Sequence, residues 1–157
     1  MHDPAPAPGG RQLLVVAGSG RSGTSLFTGL TGRLGVYIPK PEVSANRSNP
    51  RGFGEPRWLV DYHNELLSSV DVGVEDGRPE AWDLTDRVAD KPDALEPVVE
   101  WLEAQFAESD RIVVKDPRLA WFFELHRVAA GADKRERRAA PGPIFTQVAQ
   151  QQRDVLA

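Results

Sequence analysis

Eight consecutive residues, Gly18-Ser19-Gly20-Arg21-Ser22-Gly23-Thr24-Ser25, bring together three glycines, a guanidinium and four hydroxyls. They sit between a short apolar run and the start of a helical pattern. Glycines let a backbone turn tightly and approach a ligand, and the unpaired amides of a helix N-terminus attract phosphate or sulfate. An anion site is therefore the first expectation. The spacing Gly18-x4-Gly23 is that of a P-loop, yet Thr24 stands where a nucleoside-triphosphate enzyme has its lysine, which disfavours ATP or GTP hydrolysis. The same residues spell G-x-G-x-x-G, a dinucleotide fingerprint that also requires a strand ending in an acid about 20 residues on. Pro39 and Pro41 interrupt that strand just before Glu42, so a Rossmann-type dinucleotide binder is the alternative reading.

A second reactive cluster is Lys115-Asp116-Pro117-Arg118, where another apolar run ends. A cation at that place suits a transferring anionic group, and the competing reading is a solvated lysine paired with Asp116. Arg118 is the weaker candidate and suits capping a turn. Chemistry on a hydroxyl needs a general base, for which Glu42, Glu55 and His63 are candidates. His63, on a helical pattern beside Tyr62, reads more readily as a surface or packing residue, and Trp58, Trp82, Trp101 and Trp121 read as core.

The elements that must position these groups follow from periodicity. Leu13 to Ala17 is a short apolar run bounded by glycines, a buried strand. Leu26, Phe27, Leu30 and Leu34 recur at helical spacing, with Gly35 as a stop. Residues 36 to 57 carry four prolines and the Asn49-Pro50-Arg51-Gly52 turn, which predicts an ordered loop with at most a brief strand at Val36-Tyr37-Ile38. Trp58, Leu59, Tyr62 and Leu66 mark an amphipathic helix. Asp71 to Lys91 gives no clear element. Asp93 is a candidate cap for a helix carrying Leu95, Val98, Leu102 and Phe106, with Pro97 placed in its first turn. Arg111 to Lys115 is the next buried strand, and a helix through Trp121, Phe122, Leu125 and Val128 runs to Gly131. Helices between continuous apolar strands favour an α/β fold: a P-loop-like parallel sheet flanked by helices, with ligands at the carboxyl ends of the strands.

Composition narrows the function classes. A chain of 157 residues with 40% hydrophobic and 27% charged residues has the balance of one globular unit rather than a disordered chain. Its net charge of -4 supplies no global basic field for nucleic acid, so any anion site is local. The lack of cysteine removes cysteine-ligated zinc and agrees with a reducing cytoplasm, the compartment expected. No signal-peptide pattern or membrane-spanning stretch is read, so no membrane partner is expected. The expected organisation is a disordered tail at 1–10, an α/β domain at 11–131, and a charged, Gln-rich tail at 132–157.

Gly18 to Ser25 resembles the 5'-phosphosulfate-binding loop of sulfotransferases, in which a basic residue is followed by Ser-Gly-Thr and a further hydroxyl. Asn49-Pro50-Arg51-Gly52-Phe53-Gly54-Glu55-Pro56 is similar to a segment of bacterial sulfotransferase-family proteins, and Val113 to Leu119 continues the likeness, so that the matches span about residues 12 to 130. The resemblance implies a donor, 3'-phosphoadenosine 5'-phosphosulfate, and a hydroxyl or amine acceptor on a small molecule or glycan. It implies that Gly20, Arg21, Ser22, Gly23, Thr24 and Ser25 bind the donor, with Arg21 facing the bridging oxygen. Lys115 would steady the sulfuryl group, and Glu55, favoured narrowly over Glu42 because it lies in the bacterial family segment, would act as base, with no metal required.

The likeness has one gap. Complete members grip the donor's 3'-phosphate with a Ser and an Arg after a further strand, and no such strand is read after Gly131. The fold is therefore expected to be curtailed at its C-terminus, and catalysis by this chain alone to be poor. A third reading, a non-catalytic remnant or partner-dependent module, predicts an exposed sheet edge at the 111 to 115 strand.

Overall fold

The computed structural model describes residues 10 to 131; the two terminal segments assigned from sequence as tails lie outside the described residues, apart from Gly10. The elements run β1 (Gln12–Val16), α1 (Thr24–Arg33), α2 (Arg57–Ser68), α3 (Glu80–Ala89), α4 (Pro92–Glu108), β2 (Arg111–Lys115) and α5 (Leu119–Ala129). The protein is thus α/β, with a small parallel sheet in which Gln12 pairs with Arg111 and Val16 with Lys115. A parallel pair needs a long crossover, and three helices and an ordered loop fill that space after α1. On its other edge β2 meets Tyr37, which forms a single parallel bridge with Ile112.

Alternation along the strands divides the molecule into two layers. Leu13, Val15, Ile112 and Val114 point into a core shared with Leu59 and Leu66 of α2, Val88 of α3, Leu102 and Phe106 of α4, and Phe122 and Leu125 of α5. Lys115 lies on the opposite face with α1. Trp58 stacks on Tyr62 and on Trp101, each at 5.0 Å, and Trp82 meets Trp121 at 4.2 Å, so the tryptophans bind helices to one another within the larger layer.

Four expectations are revised. Helix α1 forms where the spacing placed it, but Leu26, Phe27, Leu30 and Leu34 face outward while Thr28 and Thr31 are buried. The threonine hydroxyls fit because each bonds a backbone carbonyl within the helix, Thr28 to Thr24 at 2.9 Å and Thr31 to Thr28 at 2.8 Å. Helix α3 arises in the stretch that gave no element. Its buried face is Ala81, Thr85 and Val88, too small and too polar to register as an apolar period. Helix α4 starts at Pro92, so Asp93 belongs to its first turn rather than capping it, and Pro97 lies inside the helix. A proline there removes the bond that its amide would give the residue four earlier; Val98 and Leu102, both buried, hold the helix against the core. Finally, β2 is engaged on both edges, by β1 and by Tyr37, and the unpaired edge among the described residues belongs to β1.

Candidate functional site

The loop from Ala17 to Gly23 leaves β1 at its carboxyl end and delivers the chain into the N-terminus of α1. Gly23 caps that helix with φ 84°, a left-handed conformation that a residue with a Cβ resists. Arg21 also lies there, at φ 65°, and is exposed. No side chain caps α1, which leaves its first amides available. A Cβ placed on Gly20 or Gly23 would meet nothing within 4 Å, so space stands open over the loop. Ser22 is exposed, and its hydroxyl donates to Ser19 O at 2.7 Å within the loop.

Lys115 closes β2 in register with Val16, at the root of this loop. Its ammonium is buried, ion-paired with Glu55 and 3.4 Å from Ser25 Oγ. Glu55 reaches it from the long loop before α2. That loop is closed by Val43 N–H donating to Glu55 O and Arg57 N–H to Pro41 O, both at 2.8 Å, and by the antiparallel bridge of Glu42 with Pro56. Gly54, at φ 66°, passes so near α1 that a Cβ there would lie 3.0 Å from Thr28 Cγ2. Ser25, Glu55 and Lys115 therefore converge behind the loop. Arg21 is not drawn in and has no ion pair with Glu55.

The remaining base candidates go elsewhere. Glu42 pairs with Lys40 at the surface, and no strand ends at it among the described residues, which removes the geometry a Rossmann reading requires. His63 is fully buried, contrary to the surface reading and in line with the packing one. Its Nδ1–H donates to Asp116 Oδ2 at 2.7 Å, and its Nε2 is 2.9 Å from Nε2 of His126. Lys115 does not pair with Asp116, because adjacent strand residues face opposite sides.

Asp116 also accepts from Arg118 through Nη1 at 2.7 Å and the backbone amide at 3.1 Å, while Arg118 Nε donates to Asn64 at 2.6 Å. Arg118 thus serves the turn into α5, as its weaker candidacy implied. Burial pushes the Asp116 carboxyl upward, but the hydrogen bond from His63 and the charges of His63 and Arg118 outweigh it and hold it below the ordinary range. Burial pushes His126 well below the usual histidine range, and His63 adds to this. Among the described residues, His126 Nδ1 has no hydrogen-bond partner.

This Asp116–His63–His126 chain was missed from sequence. Its signal was present: His63 falls four residues after Leu59 and His126 four after Phe122, on the buried stripes of their helices. Among the described residues no group of three or more acidic or histidine side chains is placed to hold a metal ion, and no helix is long and apolar enough to cross a membrane. No family model matches the chain, and no curated protein or solved structure is found to match it.

Proposed function

We propose that the chain is a sulfotransferase-like module on a P-loop-like fold, whose loop at residues 18 to 25 receives the 5'-phosphosulfate end of 3'-phosphoadenosine 5'-phosphosulfate. The observation that carries this reading is the convergence of Ser25, Lys115 and Glu55 behind a glycine loop at a helix N-terminus. The loop suits a doubly anionic group: free amides at the α1 N-terminus, hydroxyls on Thr24 and Ser25, and open space over Gly20 and Gly23.

In this reading Lys115 exchanges part of its contact with Glu55 for the sulfuryl oxygens when the donor binds. The exchange releases the Glu55 carboxylate to take the proton from an acceptor hydroxyl. The acceptor oxygen bonds to sulfur as the bond from sulfur to the bridging oxygen breaks, and the electron pair leaves with the phosphate. Arg21, free at the crest of the loop, is the group that would swing onto that departing oxygen. Positioning and fixed charge supply most of the rate in such transfers.

Calorimetric titration with adenosine 3',5'-bisphosphate, with NAD as control, tests the reading. Preferential binding of the bisphosphate, weakened by Arg21→Ala, is the expected result. Tighter NAD binding, or binding indifferent to Arg21→Ala, would count decisively against it.

A further inference from the structure

Charge is divided unevenly along the chain. Residues 10 to 57 carry seven cations against two acids, Glu42 and Glu55, and each of those acids is paired with a lysine. Residues 58 to 110, which hold nearly all of α2, α3 and α4, carry fifteen acids against three cations. The side of the sheet that bears α1, the glycine loop and Glu55 thus belongs to a cationic stretch of chain, and the helical layer opposite to an anionic one. Charge separated in this way draws an anion to one side of a protein and repels it from the other.

Within the cationic stretch, residues 43 to 54 form a lobe that carries two arginines, Arg47 and Arg51, and no acid. Its base is fixed where Val43 N–H donates to Glu55 O at 2.8 Å and Glu42 bridges Pro56. Its tip is fixed as well. Asn46 Oδ1 accepts from the Ser48 amide at 2.9 Å, the Ser48 hydroxyl at 2.7 Å and the Asn49 amide at 3.0 Å, and Gly52 N–H donates to Asn49 O at 3.1 Å. The long loop is held against α1 at two points, Gly54 on Thr28 and Ile38 on Gly32. Arg47 and Arg51 are exposed on a backbone that is already ordered, so a ligand that binds them has little loop entropy to overcome.

The lobe ends at the carboxylate proposed to take the acceptor's proton. Arg51 precedes Glu55 by four residues, and Arg47 lies four residues beyond Val43, whose amide bonds to Glu55 O. Four residues span at most roughly 14 Å, so both arginines stand within that distance of the base of the lobe. A molecule with its hydroxyl at Glu55 and its remainder along the lobe meets both. A guanidinium fork suits the two oxygens of a carboxylate and binds them with specificity that a point charge lacks.

We propose, building on the sulfotransferase reading, that residues 43–54 are the acceptor-recognition element and that the acceptor carries an oxyanion group, such as a carboxylate, which Arg47 and Arg51 hold while its hydroxyl faces Glu55. The acidic helical layer turns the same molecule away from the rest of the surface.

The test is a titration of the isotopically labelled full chain, followed by amide NMR with adenosine 3',5'-bisphosphate present. Two pairs of probes differ only in a carboxylate: methyl glucuronide against methyl glucoside, and a tetrasaccharide of alternating glucuronate and N-acetylglucosamine against its carboxyl-reduced form. The acidic member of at least one pair is expected to bind about tenfold or more tightly than its neutral partner and to shift the amides of Arg47, Arg51 and Glu55. Preference in the first pair assigns a small-molecule acid, and preference in the second alone assigns a glycan. Arg47→Ala/Arg51→Ala should remove the preference while bisphosphate binding stays unchanged, and Arg47→Lys/Arg51→Lys should restore part of it. Equal binding within both pairs, or a preference that survives the double alanine variant, overturns the inference and leaves the sulfotransferase reading standing. Bisphosphate binding lost in the double alanine variant also overturns it, because the arginines would then serve the donor. A parent chain that does not bind the bisphosphate overturns the sulfotransferase reading itself, and the acceptor assignment with it.

Discussion

Lys115 and Asp116 are adjacent in the chain yet belong to opposite layers: Lys115 reaches Glu55 on the α1 face of the sheet, and Asp116 reaches His63 on the other. One peptide bond thus joins the candidate reaction site to a buried polar chain linking α2 and α5. Changes on the two sides are separable by experiment.

Removing one member of the Lys115–Glu55 pair leaves the other buried and unpaired. Lys115→Met is expected to lower stability by about 3 to 5 kcal/mol, and Lys115→Met/Glu55→Leu to recover most of that loss. Urea denaturation of the two variants measures it. A single variant as stable as the parent would show that Glu55 escapes to solvent.

His126 is held uncharged by burial, with its folded pKa below the ordinary value. Below about pH 6.5 the unfolded chain gains a proton at this residue that the folded chain refuses, so stability falls as pH falls, by about 1.4 kcal/mol per unit at most. Asp116, also lowered, contributes stability that is present above its unfolded value and lost only at more acidic pH. Denaturation between pH 7 and 5 should show this slope in the parent and a slope reduced by about one proton in His126→Gln. Identical slopes would assign the proton elsewhere.

Gly54→Ala places a methyl against Thr28 at a left-handed position, an expected cost of roughly 1 to 3 kcal/mol. Thr28→Ser removes the opposing methyl while keeping the hydroxyl bond to Thr24, so the double variant should regain part of the loss. A double-mutant cycle reads the coupling, and strict additivity would mean the strain lies in the backbone alone.

The proposed function also carries a kinetic expectation. A charge-assisted hydrogen bond from Arg21 to the departing phosphate is worth about 1.5 to 3 kcal/mol, so Arg21→Ala is expected to slow sulfuryl transfer by about tenfold or more. A radiolabelled-donor assay over a panel of hydroxyl acceptors measures this. Transfer undiminished in Arg21→Ala would take Arg21 out of the reaction.

Much of this architecture was legible in the sequence because its decisive signals are local. The apolar runs at Leu13 to Ala17 and Arg111 to Lys115 predicted both strands, and their order predicted the parallel pairing that sets Lys115 beside the loop. Glu55, chosen narrowly among three bases, is the one that meets Lys115. What escaped depends on tertiary context. Helical spacing reveals that Leu26, Leu30 and Leu34 share a face, but which face is buried is decided by Gly54 and Ile38 crowding the threonine side. Helix α3 packs through Ala81 and Thr85, residues with little hydrophobic signal. The His63–His126 contact joins positions on separate helices that no spacing rule connects.

The tryptophans give the molecule a one-sided optical signature. Trp58, Trp82, Trp101 and Trp121 come from α2, α3, α4 and α5 in turn, and none from the loop at residues 18 to 25 or from α1. Intrinsic emission therefore reports the large helical layer and is blind to local opening of α1 and its loop. A tryptophan installed at Phe27 would give the loop layer its own signal, and the order in which the two layers come apart could then be read from a single fluorescence experiment.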